Sequence, residues 1–159
     1  MPRYFKLETK TFCSITNERD PDNEWSRDST SEHTTIQGLC EVGEKDHPDF
    51  SVPDDATGPF YLVYGVYDTG NSFGRDEGQF EAVMLHTDEA AARENVRRIE
   101  EQNRFYCKNN GNGKALDLYS VELVMDDGTP FRFSVPWNGF FEELRCADIE
   151  VVHVLGGKR

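Results

Sequence analysis

One segment of the chain has the periodicity of an amphipathic helix, and it lies between stretches whose apolar residues alternate as they do in β-strands. Acidic residues begin this segment, residues 88–108, where the helix dipole favours them. Thr87 stands where an N-cap is expected. One helical face carries four apolar residues: Ala92, Val96, Ile99 and Tyr106. The pattern predicts one long helix at about 88–108.

The remaining apolar residues predict strands. Residues 60–67 are apolar on both faces, which suits a central strand. A turn at 126–130 joins two alternating stretches into a hairpin. The predicted strands cover residues 5–15, 34–42, 60–67, 80–86, 119–125, 131–135 and 149–155. We therefore predict a single α+β domain, residues 1–159, in which a mostly antiparallel sheet of about six strands packs against one long helix.

Two stretches between the predicted strands have no periodicity. Residues 17–33 are mostly polar, and residues 43–58 contain the breakers Pro48, Pro53 and Gly58. Unstructured loops of this length are uncommon and tend to be functional or mobile. We expect both stretches to be long, acidic and mobile loops.

The negative charge is concentrated in one part of the chain. The net charge is −13, and residues 17–55 hold twelve acids against three bases, a net charge of −9. The predicted helix balances five acids with five bases and forms two i,i+4 pairs, Glu89–Arg93 and Glu94–Arg98. A protein that mimics nucleic acid needs carboxylates over a continuous face, so only residues 17–55 could serve that role.

This charge distribution favours some partners and disfavours others. An acidic surface repels nucleic-acid phosphates and anionic lipid, and no apolar run is long enough to span a bilayer. It attracts a basic protein surface, unless the charge only keeps the protein soluble. Candidate partner-binding acids are Asp20, Asp22, Glu24, Asp28, Glu41, Glu44 and Asp46. An aromatic anchor, Trp137, Phe140 and Phe141, is a further candidate, and its alternative is a small satellite core.

A glycine-rich connection at 68–78 is the best candidate for a ligand-binding loop. Its glycines free the backbone to point amides inward, and four residues could hold an anion such as a phosphate or nucleotide: Asn71, Ser72, Gly74 and Arg75. It matches neither a P-loop nor a calcium loop. The alternative is an ordered hairpin connection with glycine where φ is positive.

Catalytic and metal signatures are weak. The histidines are His33 and His47 in predicted loops and His86 and His153 in predicted strands, where packed or edge positions are the usual outcome. The pairs Asp54–Asp55 and Asp126–Asp127 resemble paired carboxylates, yet turns explain both. Cys13, Cys40, Cys107 and Cys146 have no zinc-ligand spacing, so we expect reduced, mostly buried thiols. We predict no metal and no cofactor.

Two segments carry a resemblance to a group of proteins. Tyr-Asp-Thr-Gly-Asn-Ser-Phe-Gly at 67–74, and Trp-Asn-Gly-Phe-Phe-Glu-Glu-Leu at 137–144, resemble segments of small uncharacterised acidic bacteriophage proteins. The resemblance implies no activity or catalytic residue. It implies a protein of the host cytoplasm that acts by binding a host factor, and the chain start lacks the apolar core of a secretory signal.

Three functions follow in order of preference. The first is a protein that binds and modulates or inhibits a basic host protein, such as a defence or nucleic-acid-handling factor. The second is a binder of, or enzyme on, a small anionic ligand at residues 68–78. The third is a phage structural or assembly component, which would oligomerise. We favour a binding protein over an enzyme, and the sequence leaves the oligomeric state open.

Overall fold

The computed structural model describes residues 2–19, 26–71, 74–110, 119–135 and 142–156. The fold is α+β, as the sequence predicted. Its elements, in chain order, are β1 (Arg3–Arg19), β2 (Ser26–Val42), β3 (Phe50–Val52), β4 (Phe60–Asn71), β5 (Gly74–His86), α1 (Glu89–Asn110), β6 (Tyr119–Val124), β7 (Pro130–Val135) and β8 (Glu142–Val152).

Six of these strands form one mixed sheet in the order β3-β1-β2-β5-β4-β8. Its pairs are antiparallel except β2 with β5, which run parallel over residues 28–31 and 74–77. The predicted hairpin is confirmed, but β6 and β7 form a separate two-stranded sheet. The central position predicted for residues 60–67 is also confirmed, because β4 pairs on both sides.

The large sheet curls until the chain just beyond β8, the strand at one end, meets β2. Leu39 of β2 donates from its N–H to the carbonyl of His153, just beyond β8, and accepts from the N–H of Leu155 at 2.8 Å. Gly38 makes this approach possible: its φ is 151°, and a Cβ there would lie 2.8 Å from the carbonyl oxygen of His153. The curl encloses one core, in which Phe5 and Phe60 stack with ring centroids 5.6 Å apart.

A second core lies between the sheet and α1. The helix contributes the buried residues Ala92 and Ile99, with Val96 packed against them, as its periodicity predicted. Hairpin residues Val121 and Leu123 close this core from the other side. The small sheet is therefore held to the large one through the helix, and this places the β6–β7 turn near the beginning of α1.

The bounds of α1 agree with the helix predicted at about 88–108, but the residue that caps the helix differs from the prediction. Both predicted i,i+4 pairs form, Glu89 with Arg93 at 2.8 Å and Glu94 with Arg98 at 3.3 Å. Asp88, rather than Thr87, caps the helix, since its Oδ1 accepts from the N–H of Ala90 at 3.1 Å. Among the described residues, no helix combines the length and the apolar character needed to cross a membrane.

The predicted loop at 17–33 is wrong over most of its length. Residues 17–19 and 26–33 belong to β1 and β2, which pair as far as Arg19 and Ser26, and residues 20–25 lie outside the described part of the chain. Backbone hydrogen bonds pair these residues, and no apolar alternation in residues 17–33 marks them as strand. The loop at 43–58 is interrupted by the short strand β3, and β8 begins earlier than predicted, at Glu142.

The predicted loop at 68–78 is also mostly strand. The β4–β5 ladder continues to the pair Asn71–Gly74, so only residues 72–73 are left to connect the strands. Gly78 has a φ of 76°, and a Cβ there would lie 2.3 Å from the carbonyl oxygen of Glu32 in β2. The structure thus matches the alternative of an ordered hairpin with glycine at a position of positive φ.

Candidate functional site

A cleft of about 390 Å³ opens where the turn after β3, the end of β5 and the β6–β7 turn meet. Its apolar lining consists of Val52, Pro53, Ala56, Met84, Leu85 and Met125. Its polar lining consists of Ser51, Asp55, Thr57, Thr87, Asp126 and Asp127. The two aspartate pairs noted in the sequence therefore contribute to the same cleft, although they are far apart in the chain.

The β6–β7 turn brings two of these carboxylates to the cleft. Met125 donates from its N–H to the carbonyl of Thr129 at 2.8 Å and accepts from the N–H of Gly128 at 2.9 Å, which closes the turn. Within the turn, Oδ1 of Asp127 accepts from the N–H of Thr129 at 2.9 Å. Hydrogen bonds from Thr129 hold the pKa of the Asp127 carboxyl below its usual range. The turn predicted at residues 126–130 is confirmed, and it places the carboxylates of Asp126 and Asp127 at the cleft.

Asp126 joins the hairpin to the large sheet. Its Oδ2 accepts from both the N–H and the hydroxyl of Thr87 at 2.6 Å, and its Oδ1 contacts Nδ1 of His86 at 2.8 Å. Partial burial pushes the pKa of the Asp126 carboxyl upward, but the bonds from Thr87 and His86 outweigh it and the pKa lies below its usual range. Asp126 is therefore a fixed negative charge. These bonds also explain why the Thr87 hydroxyl does not cap the helix.

The tautomer of His86 follows from its neighbour Asn95, and both side chains are buried. Asn95 accepts from the N–H of Val124 at 3.0 Å through Oδ1 and donates to the carbonyl of Val124 at 2.8 Å through Nδ2. The same Nδ2 lies 2.9 Å from Nε2 of His86, so Nε2 accepts there. His86 is thus neutral with its proton on Nδ1, and that proton is donated to Asp126.

This arrangement resembles a His–Asp dyad but cannot act as one. A general base needs one ring nitrogen in reach of substrate. Both nitrogens of His86 are occupied, and its side chain is fully buried. His86 is a packed strand histidine, as the sequence predicted, whereas His33 and His153 are exposed. Asn95 was missed by the sequence analysis, although a polar residue beside the apolar helix stripe is the signal that could have found it.

The cleft carries negative charge, and the Arg3 guanidinium, which donates to the carbonyl of the lining residue Ala56 at 2.9 Å, is already paired with Glu41. None of the cleft's lining residues is Lys or Arg. Elsewhere Arg93, Arg97 and Arg98 pair with glutamates of α1: Arg97 lies 2.7 Å from Glu94, and this hydrogen bond, with Arg98, lowers the pKa of Glu94 to about 2. Arg145 likewise pairs with Asp68 at 2.6 Å. The surplus carboxylates at the cleft are the part of this surface best suited to a cation.

The structure uses some of the predicted partner-binding acids internally. Glu41 pairs with Arg3 at 3.0 Å, and this hydrogen bond lowers the pKa of Glu41. Asp46 accepts from the N–H of Gly43 at 2.8 Å. Glu44 is exposed in the same turn, and Asp28 lies in β2. Asp20, Asp22 and Glu24, together with Trp137, Phe140 and Phe141, lie outside the described residues.

Three of the candidate ligand-binding residues, Asn71, Gly74 and Arg75, belong to paired strands. Asn71 and Gly74 form the last pair of the β4–β5 ladder, and the backbone of Arg75 pairs with Gly70 and with Ser29. Ser72 lies outside the described residues. Strand pairing engages the backbone of these three described residues, and the anion-binding hypothesis remains a prediction.

The cysteines are less buried than predicted. Cys13 and Cys146 are exposed and Cys40 is half-buried, all three as free thiols. Cys13 lies in a ribbon with solvent on both faces, which is why strand position did not imply burial. Within the described part of the chain, no three side chains of His, Cys, Asp or Glu are grouped to hold a metal ion.

No family model, curated protein or solved structure matches the chain. The geometry and charge of the cleft therefore carry the functional argument.

Proposed function

We propose that the protein is a binding protein whose acidic cleft receives a Lys or Arg side chain of a basic partner protein. The observation that carries the proposal is the convergence of Asp55, Asp126 and Asp127 on a cleft without a basic residue in its lining. The resemblance of residues 67–74 to bacteriophage proteins makes a basic host protein the first partner to test.

The lining of the cleft suits a long basic side chain better than a simple ion. Lys and Arg combine an apolar stem with a charged head. The apolar residues Val52, Ala56 and Leu85 can cover the stem, while carboxylates at the polar side of the cleft take the head. Asp126 and Asp127 are held by hydrogen bonds within the protein, so little side-chain entropy is lost when the cation binds.

Two observations favour binding over the alternatives. His86, the one buried histidine, is occupied at both ring nitrogens, which supports a structural rather than a catalytic role. An anionic ligand would meet carboxylates at this cleft and a paired backbone at residues 71 and 74. Electrostatics therefore favour a cationic group over a nucleotide.

The proposal can be tested by NMR with short peptides as probes. A blocked tripeptide containing Arg should shift the amide resonances of residues 51–57 and 125–129, whereas the same peptide with neutral citrulline should not. The variant Asp55→Asn/Asp127→Asn should bind the Arg peptide about tenfold more weakly, because two partly exposed charge pairs are lost. Added salt should weaken binding in the wild type, since it screens these charges.

The control is Asp20→Asn/Asp22→Asn/Glu24→Gln, which removes three charges and keeps every described residue of the cleft lining. This variant should bind the Arg peptide nearly as well as the wild type. If it loses binding while the cleft variant retains it, the partner site lies in residues 20–24 and the cleft proposal is wrong. A quantitative pull-down of basic proteins from a bacterial lysate with the same variants then tests the host-protein assignment.

A further inference from the structure

The outer edge of β1 is open over most of its length. Near its beginning the edge is covered, because Asp49 donates from its N–H to the carbonyl of Phe5 and its carboxylate accepts from the N–H of Leu7. Beyond Leu7, no described residue other than those of β2 pairs with β1. Residues 9–15 are all exposed. The open edge therefore runs from Thr9 to the end of the strand at Arg19.

The backbone groups that face outward can be assigned from the covered end. Phe5 and Leu7 point their hydrogen-bonding groups away from β2, and β1 alternates regularly beyond them because the extra residue of the bulge lies in β2, between Ile36 and Gly38. Odd-numbered residues such as Thr9 and Ile15 therefore present unpaired N–H and C=O groups. Such an edge is a template for another strand.

Apolar side chains lie on the same edge. Phe12 is 56% exposed and Ile15 is 76% exposed, the latter the highest value among the large apolar residues described. Lys10 lies over the Phe12 ring at 5.3 Å. Exposed apolar residues on an unpaired strand are costly in water, and a pairing strand would cover them.

We propose that a second copy of this chain adds its β1 antiparallel to this edge and forms a two-fold symmetric dimer. Ser14 is the midpoint of the open edge, residues 9–19, so pairing about Ser14 uses its whole length. In this register Lys10 lies opposite Glu18 of the second copy, twice in each dimer, and Cys13 lies opposite Ile15. The contact is self-complementary, as a two-fold interface requires.

Charge favours a second copy over other occupants. Residues 9–19 contain Lys10, Glu18 and Arg19, a net charge of +1 in a chain of −13. A basic partner strand gains nothing at this edge, whereas a second copy places Glu18 opposite Lys10 and Lys10 opposite Glu18. In this dimer each copy approaches the other through β1, its least acidic strand. Long-range repulsion between two acidic chains must still be screened, so salt should strengthen the dimer, whereas it should weaken binding at the cleft.

Exchanging the charges of Lys10 and Glu18 tests the proposed strand register about Ser14. Native mass spectrometry and sedimentation should show the 18.2 kDa monomer doubling in mass as protein and salt concentrations rise. Lys10→Glu and Glu18→Lys should each raise the dimer Kd about tenfold, because two attractive cross-strand pairs become repulsive. The double variant Lys10→Glu/Glu18→Lys should restore the wild-type Kd. A double variant no better than either single one overturns the proposed pairing.

Backbone and cross-linking variants test the edge itself. Ile15→Pro removes one outward N–H without removing a bond to β2, so it should abolish the dimer. Ile15→Thr keeps that N–H and should weaken the dimer less. A short bismaleimide should join Cys13 of two copies, and Cys13→Ser should prevent it. A wild type that stays monomeric at every salt concentration, or an Ile15→Pro variant that dimerises normally, refutes the proposal.

Discussion

Replacing the buried side chain of Asn95 should strongly destabilise the protein. Asn95 is completely buried in α1 and bonds to three groups on two other elements: the N–H and carbonyl of Val124 and Nε2 of His86. Asn95→Leu nearly preserves volume and raises helix propensity slightly, but it leaves these three groups without partners. A buried polar group without a partner costs about 1–3 kcal/mol.

The expected cost is about 2.5–8.5 kcal/mol for the three groups together, after about 0.5 kcal/mol of improved helix propensity is subtracted. This is a large part of the ~5–15 kcal/mol stability of an ordinary domain. Urea unfolding followed by circular dichroism should show a much lower midpoint with an unchanged m-value. Ala90→Leu, at an exposed position of the same helix, is the control and should shift the midpoint little.

The hydrogen-bond assignment itself has a direct spectroscopic test. Two-bond ¹H–¹⁵N spectra should show His86 as a neutral imidazole protonated on Nδ1, because Asn95 donates to Nε2. If Asn95→Leu keeps wild-type stability within about 1 kcal/mol, or if His86 proves to be protonated on Nε2, the inferred network is wrong.

Two further predictions concern titration and thiol reactivity. The pKa of Asp126 is lower in the folded protein than in the unfolded chain, so its contribution to stability is fully present above the unfolded value of about 3.9 and is lost as pH falls through the folded pKa. The urea midpoint of Asp126→Asn should therefore depend less on pH below about 4 than that of the wild type; equal slopes would contradict the assignment. Partial desolvation of the thiol, together with Asp148 and Glu100, raises the pKa of Cys146, although the residue as a whole is exposed. Its reaction with a disulfide reagent near neutral pH should be slower than that of free cysteine and faster in Asp148→Asn, and no change in that variant would argue against electrostatic control.

Local patterns in the sequence determined the helix and the strand-rich class of the fold. The bounds of α1 and the pairs Glu89–Arg93 and Glu94–Arg98 were predictable because residues four apart meet on one helix. The β6–β7 turn was predictable from Asp-Gly chemistry, and β4 from its two apolar faces. Each of these features depends on interactions between residues that are close in sequence.

Strands at 5–15 and 34–42 were predicted, but the continuation of the β1–β2 ribbon through residues 17–19 and 26–33 was not, because backbone hydrogen bonds that leave no periodic pattern in the sequence hold it together. The cleft was equally hidden: Asp55 and Asp126 were correctly interpreted as turn residues, but only the curl of the sheet and the docking of the hairpin on α1 bring them together. The structural role of His86 follows only from its hydrogen bonds to Asn95 and Asp126. The tertiary structure decided these features because they depend on contacts between residues distant in the chain, and no local periodicity records such contacts.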